Sequence, residues 1–275
     1  MIITYLEPGL DPSYHPSCGP NRDAGPFVDP DGADPLNDSM ARDLDDVIHW
    51  AYGGSARNRQ QAVGPSELGD ACDRKLAYRL VDAPTVNTRT DPWPAIVGTS
   101  VHSWLELAFS GLQAEVNQTR WLTETEVVID DLVLGHCDLY DLETGCVWDF
   151  KTVNSQRLSK YRQEGPPESY RTQVHLYGMG MARAGYQVHR VGLIMLPRAG
   201  WLSGKWLWSQ PYDESIALAA LSRMYHLAEQ LVRLDADQDL GRVMQVPPTP
   251  SQLCSFCRFY TPDPGPSNGY GCPGK

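Results

Sequence analysis

Apolar positions along this chain change period twice. From Asn37 the spacing of Leu44, Val47, Ile48 and Ala51 is that of one helix face, with Asp38 or Ser39 as cap and Gly53-Gly54 as stop. A second helix is predicted from Ser66 through Cys72, Leu76 and Leu80, closed by Pro84, and a third over 98–109, with Val101, Leu105 and Ala108 on one side. The period then shortens towards two. Strands are predicted over 121–129, over 132–140 with an interruption at Gly135, and over 146–152 after a turn at Glu143-Thr144-Gly145. Helical spacing returns at 156–162 and 169–184. Strands follow at 188–196 and 206–208, then a long amphipathic helix over 213–236 capped by Asp213.

From the third helix the order is helix, three strands, helix, two strands, helix. That order predicts an α/β fold with a mixed central sheet flanked by helices. The pattern divides the chain into an irregular arm at 1–36, a helical region at 37–97, a core at 98–246 and a tail at 247–275. Prolines 8, 12, 16, 20, 26, 30 and 35 exclude a helix or central strand from the arm. No apolar run reaches the ~20 residues that span a bilayer, and the N-terminus lacks the pattern of a secretory signal. The expected compartment is therefore the cytoplasm, with no membrane partner. The net charge of −11 weighs against a nucleic-acid partner unless basic residues cluster locally.

The chemistry concentrates in Gly135-His136-Cys137-Asp138-Leu139-Tyr140 and Val147-Trp148-Asp149-Phe150-Lys151. Side chains two apart on a strand share a face, so Asp149 and Lys151 project together, with Trp148 and Phe150 opposite. Asp138 lies on the preceding strand across a short turn, within reach of Asp149. Two adjacent carboxylates repel unless a divalent cation lies between them. Such a cation orients a phosphodiester and lowers the pKa of an attacking water, and a lysine beside it supplies positive charge to the developing oxyanion. A D-x-K by itself is an ordinary wet-faced hairpin; the second acid beside it is what gives it weight.

These residues resemble the PD-(D/E)XK nucleases, and in particular the RecB-like branch. The likeness extends upstream to Gly98-Thr99-Ser100-Val101-His102-Ser103-Trp104-Leu105-Glu106 and downstream to Gln173-Val174-His175-Leu176-Tyr177, and covers about 66–184. Within each segment the pairs His102 and Glu106, and Gln173 and Tyr177, share a helix face at i, i+4. The resemblance implies a restriction-endonuclease-like fold and a Mg²⁺ or Mn²⁺ centre. Its metal ligands would be His102, Asp138, Asp149 and the backbone carbonyl of Phe150. Asp138, Asp149 and Lys151 would be catalytic, with Gln173 and Tyr177 positioning the lysine, the phosphate or the strand. Glu126 is a weaker candidate, supporting the metal through water.

Seven cysteines and no secretory signal argue against a disulfide framework. Cys254-Ser255-Phe256-Cys257 is a C-x-x-C, with Cys272 beyond it and Cys72 far upstream. One cysteine before the nuclease motifs and three after resembles the iron–sulfur subgroup, the AddB-type nuclease domains and CRISPR-associated RecB-like exonucleases. That implies a 4Fe–4S cluster on Cys72, Cys254, Cys257 and Cys272, joining the helical region to the tail. The gap before Cys272 is longer than is usual in the subgroup, so structural Zn²⁺ stays open as the alternative. Cys137 and Cys146 read as core residues, and Cys18 as an ordinary thiol.

Arg157, Lys160, Arg162 and Arg171 are candidates for phosphate contacts, with Tyr161 and Tyr170 for stacking on bases. Two functions are carried forward. One is a metal-dependent deoxyribonuclease, an exonuclease on single-stranded or frayed ends. The other is a catalytically silent DNA-binding or adaptor protein serving a recombination or CRISPR-adaptation partner. A zinc-stabilised interaction protein is the third and weakest reading.

Overall fold

The computed structural model describes residues 35–53, 63–87, 91–251, 254–262 and 269–274. Most of the Pro-rich arm, with Cys18, lies outside them. Helix α1 (Pro35–Gly53) lies, apart from its last two residues, in a first unit that ends at Ala51, and everything below belongs to the unit 52–275.

Five strands form one mixed sheet in sequence order: β1 (Trp121–Asp130), β2 (Val133–Asp141), β3 (Cys146–Val153), β4 (Arg190–Pro197) and β5 (Trp206–Pro211). The first three make an antiparallel meander, β3 and β4 run parallel, and β5 returns antiparallel. A parallel step requires a crossover. Helices α5 (Ser155–Glu164) and α6 (Glu168–Arg183) supply it. Asn154 begins α5 by accepting a hydrogen bond from the Arg157 amide. The α/β expectation with a mixed sheet and flanking helices matches this architecture.

Helix α6 is the centre of the packing. Every residue from Gln173 to Met181 is buried, because the sheet covers one side and α7 (Glu214–Arg233) the other. Close approach depends on two glycines. A Cβ at Gly180 would lie 2.7 Å from the Cβ of Val127, and one at Gly178 would lie 2.8 Å from the Tyr212 ring. Against this helix α7 buries Ala217, Ala220, Leu221, Met224, Leu227 and Leu231, at helical spacing, behind an Asp213 cap that accepts from the Ser215 amide.

Two sequence expectations change. The single helix predicted from Ser66 is broken into α2 (Pro65–Leu68) and α3 (Asp73–Leu80). Gly69 sits where a Cβ would be 2.5 Å from the carbonyl oxygen of Ser169, and the Asp70 carboxylate turns back to accept from the Cys72 amide, which ends the first helix. The third helix is longer than its pattern. Helix α4 spans Trp93–Val116, because Pro94 starts a helix well in its first turn. It packs on β1 and β3, yet none of its residues is fully buried.

The tail returns to α3. Tyr78 packs its ring 4.9 Å from that of Phe259 and donates to the Tyr270 carbonyl. Arg74 donates to the carbonyls of Met244 and Val246. The Asn87 side chain donates to the carbonyls of Ser255 and Cys257, and the Val86 and Asn87 amides donate to Arg258.

Candidate active site

The site opens where the β2–β3 ladder stops. Pairing runs through Asp141–Cys146 and Tyr140–Val147 and ends at Leu139–Trp148. Beyond that point Asp138 turns its carboxylate onto the other strand, and its Oδ2 accepts from the Phe150 amide at 2.7 Å. The same residue marks a break on its other side. The β1–β2 ladder skips the pair Glu124–Asp138, and Glu124 adopts φ +44°, a left-handed backbone that a non-glycine residue rarely takes.

Asp149 and Lys151 project to one side of β3, against α6. Asp149 is 1% exposed. Its Oδ1 accepts from Lys151 Nζ at 3.1 Å and from Gln173 Nε2 at 2.9 Å. Its Oδ2 is fully buried and lies 2.8 Å from Lys151 Nζ as an ion contact, but accepts no well-aligned hydrogen bond. Gln173 also accepts from Lys151 Nζ at 2.9 Å through Oε1, and its amide donates to the Tyr177 hydroxyl at 3.2 Å. The Tyr170 ring lies 4.9 Å from the ammonium. Lys151 is thereby held by groups from three sides.

His102 on α4 reaches the other side of the gap. Its Nε2 lies 2.8 Å from the Phe150 carbonyl oxygen, and its Nδ1 lies 3.4 Å from Asp138 Oδ2. Its edge meets the Phe150 ring. His102, Glu124 and Asp138 bring one ligand atom each to within 4.8 Å of one another. The Phe150 carbonyl meets this group through the imidazole, and Asp149 is not one of its three members.

Glu124 was not among the residues singled out from the sequence; Glu126 was. Glu126 is exposed, 3.9 Å from His136, and takes no part in this group. Strand alternation puts 124 and 126 on one face, so nothing in the pattern separates them. The backbone reversal at Glu124 does.

The titrations agree with a site built for positive charge. Burial pushes the Asp149 carboxyl up to about 6; Lys151 opposes the rise and Asp138 adds to it. Burial, with Asp138 next, lifts Glu124 to about 7. Burial disfavours a charged His102, but the carboxylates of Asp138 and Asp149 outweigh it, and its pKa lies above the ordinary value. The linkage has one sign for all three. Each folded-state pKa exceeds its unfolded value, so the folded chain holds more protons and stability falls as pH rises. For Asp149 the window is about pH 4 to 6, for Glu124 about 4.5 to 7, and for His102 from 6.5 upward. Without divalent cation, Glu124→Gln is expected to lose less thermal stability between pH 5 and pH 7.5 than the parent. Calorimetry at the two pH values measures it; parallel curves would remove Glu124 from this charge network.

Of the proposed phosphate contacts, Arg162 donates to the Gly204 carbonyl at 2.6 Å and Lys160 lies 3.7 Å from Glu164. Tyr161 and Tyr170 meet edge to face at 6.1 Å, beside Arg157. Arg171 is exposed on α6.

The four tail and α3 cysteines occupy one neighbourhood. Cys257 feels the charges of Cys72 and Cys272. Gly274 (φ +77°) donates to Cys272 Sγ at 3.4 Å, and a Cβ there would lie 3.1 Å from that of Cys254. Other donors also face sulfur: the Thr249 amide to Cys72, the Ser251 amide to Cys254, and Arg74 to Cys272. Cys137 and Cys146 are buried in the strands.

No family model matches the chain, and neither does any curated protein. Solved structures similar to it include the alkaline exonuclease LHK-Exo from Laribacter hongkongensis, at 11% identity and TM-score 0.47, covering 69% of this chain and 96% of that one. LHK-Exo in complex with dAMP is similar at 13% identity and TM-score 0.45, covering 68% and 95%. A phage-related exonuclease from Haemophilus somnus 129PT follows at 11% identity and TM-score 0.40, covering 58% and 81%.

Proposed function

We propose that this chain is a divalent-metal-dependent deoxyribonuclease, acting as an exonuclease on single-stranded or frayed DNA ends. The observation that carries the reading is the buried Asp149 carboxylate beside Asp138. Its Oδ2 lacks a well-aligned hydrogen bond, and Asp138 adjoins an imidazole and a third acid, Glu124, with the Phe150 carbonyl against the imidazole. Buried, closely spaced carboxylates are unfavourable without a cation.

The donor set fits Mg²⁺ or Mn²⁺: carboxylates and a carbonyl supply hard oxygen, and one imidazole is tolerated. Asp138, Asp149, His102 and the Phe150 carbonyl would hold it, with Glu124 next to them. Bound there, the ion polarises the phosphate and lowers the pKa of water. The protein's own contributions are separate. Asp138 fixes the β2–β3 gap by accepting from the Phe150 amide. Lys151 sets a positive charge beside Asp149, where negative charge develops on the phosphoryl oxygens. Gln173 joins the lysine to the carboxylate and, through Tyr177, to the interior of α6, so the ammonium keeps its aim. The same reading includes a 4Fe–4S cluster on Cys72, Cys254, Cys257 and Cys272. The amide and guanidinium donors directed at the sulfurs of Cys72, Cys254 and Cys272 support it, since hydrogen bonds to sulfur are a feature of cluster sites.

The test is degradation of end-labelled single- and double-stranded DNA by anaerobically purified protein, with Mg²⁺, with Mn²⁺ and with EDTA, beside Asp138→Asn. Cleavage that needs the metal and is lost in the variant is expected. A folded wild type that binds DNA and cuts nothing would shift the reading to the adaptor alternative.

A further inference from the structure

Beyond the end of β3 lies a feature that the proposed chemistry does not use. Val153 pairs with Pro197, the Arg198 amide donates to the Val153 carbonyl at 2.8 Å, and α5 starts at once. Between α5 and the β4–β5 loop is a cavity of about 260 Å³. Leu158, Pro197 and Ala199 give it an apolar lining, and Ser155, Ser159 and Ser203 bring hydroxyls. Trp201 stands at its wall and is 86% exposed. Arg162 ties the loop to α5 through Gly204, so the wall is braced. Pro197, which lines the cavity, pairs with Val153, two residues past Lys151 and about 7 Å along the strand.

The charge around it is mostly positive. Arg157, Lys160 and Arg162 stand on α5, with Glu164 3.7 Å from Lys160, and the β4–β5 loop carries Arg198 and Lys205. Those five cations outnumber the acids of the two segments in a chain whose net charge is −11. An indole left in water beside hydroxyls and a run of cations matches a flat aromatic ligand on a polyanion.

We propose that this cavity takes one unpaired nucleobase of a DNA strand, stacked on Trp201, with the strand's phosphates along the cations of α5 and the loop. The assignment rests on the nuclease reading for its purpose, since it holds the strand one short step from Lys151. It adds a strand-positioning surface separate from the metal ligands.

The experiment is fluorescence anisotropy of a labelled oligothymidylate in EDTA, with wild type, Trp201→Ala and Trp201→Phe. Hydrolysis of bis(p-nitrophenyl) phosphate with Mn²⁺ is measured alongside. Stacking on one base is worth enough that Trp201→Ala weakens binding about tenfold, while Trp201→Phe keeps most of the affinity and the small diester is hydrolysed as before. Thymidine monophosphate displaces the oligonucleotide at lower concentration than inorganic phosphate does. Equal affinity for wild type and Trp201→Ala overturns the proposal, as does equal loss in the Phe variant or equal potency of phosphate. Since Trp201 is exposed, its loss does not threaten folding. If wild type hydrolyses neither DNA nor the small diester, yet Trp201→Ala still binds less tightly, the nuclease reading fails and the cavity assignment stands.

Discussion

Lys151→Ala is expected to lower kcat for metal-dependent DNA cleavage by about 10²–10³-fold, the usual effect of removing one charged group directed at a developing oxyanion. KM should change little, because the proposed phosphate contacts are made by other cations. A second consequence follows in the metal-free protein. Lys151 is the neighbour that opposes the rise in the Asp149 pKa. Without it, the carboxylate is buried with Gln173 as its remaining hydrogen-bond donor, so its pKa moves higher still. Thermal stability of the variant should therefore fall more steeply than that of the parent as pH rises from 5 to 7.5. Single-turnover kinetics and melting at the two pH values measure the two effects. Full activity in the variant would remove Lys151 from the chemistry, whatever the stability data show.

Cys72→Ser and Cys257→Ala are expected to strip the iron and the acid-labile sulfide from anaerobically purified protein and to lower its Tm by on the order of 10 °C. The size follows from topology. Cys72 and the tail cysteines are separated by most of the chain, and a cross-link closing so long a loop is worth about 4–5 kcal/mol on a chain-entropy estimate. At this length each kcal/mol moves Tm by about 2–4 °C. Loss should be largest in the tail, whose other ties to 74–87 include the Tyr78–Phe259 ring pair and hydrogen bonds from Arg74, Tyr78 and Asn87. Metal analysis also decides between the alternatives. Zinc in place of iron would assign a structural zinc site, and wild-type protein holding neither metal would overturn both.

Much of the candidate site is legible because it depends on short-range geometry. A D-x-K on a strand places Asp149 and Lys151 on one face wherever that strand lies. Gln173 and Tyr177, four apart on a helix, meet through a hydrogen bond for the same reason. The succession of strands and helices was also readable, because strand and helix periods differ. Glu124 was not legible. Its choice over Glu126 turns on one backbone torsion, at a residue whose type does not announce a left-handed conformation. The bond from Arg162 to the Gly204 carbonyl was not legible either, because its partner is 42 residues away in sequence.

By itself, then, the sequence determined what each local segment is and which side chains within it point together. Dihedral periodicity is a property of neighbours, and neighbours are written in order. Only the tertiary structure decided what those segments meet. It ended the β2–β3 ladder at Leu139, which frees Asp138 to accept from Phe150. It set one left-handed residue, Glu124, inside β1, and it placed Gln173 between Asp149 and Lys151. It also brought Cys72 to the tail and left Trp201 exposed at the wall of the cavity beside α5. Such contacts form between residues far apart in the chain, where the balance of packing and desolvation over the whole core selects the partner, and no local pattern encodes that balance.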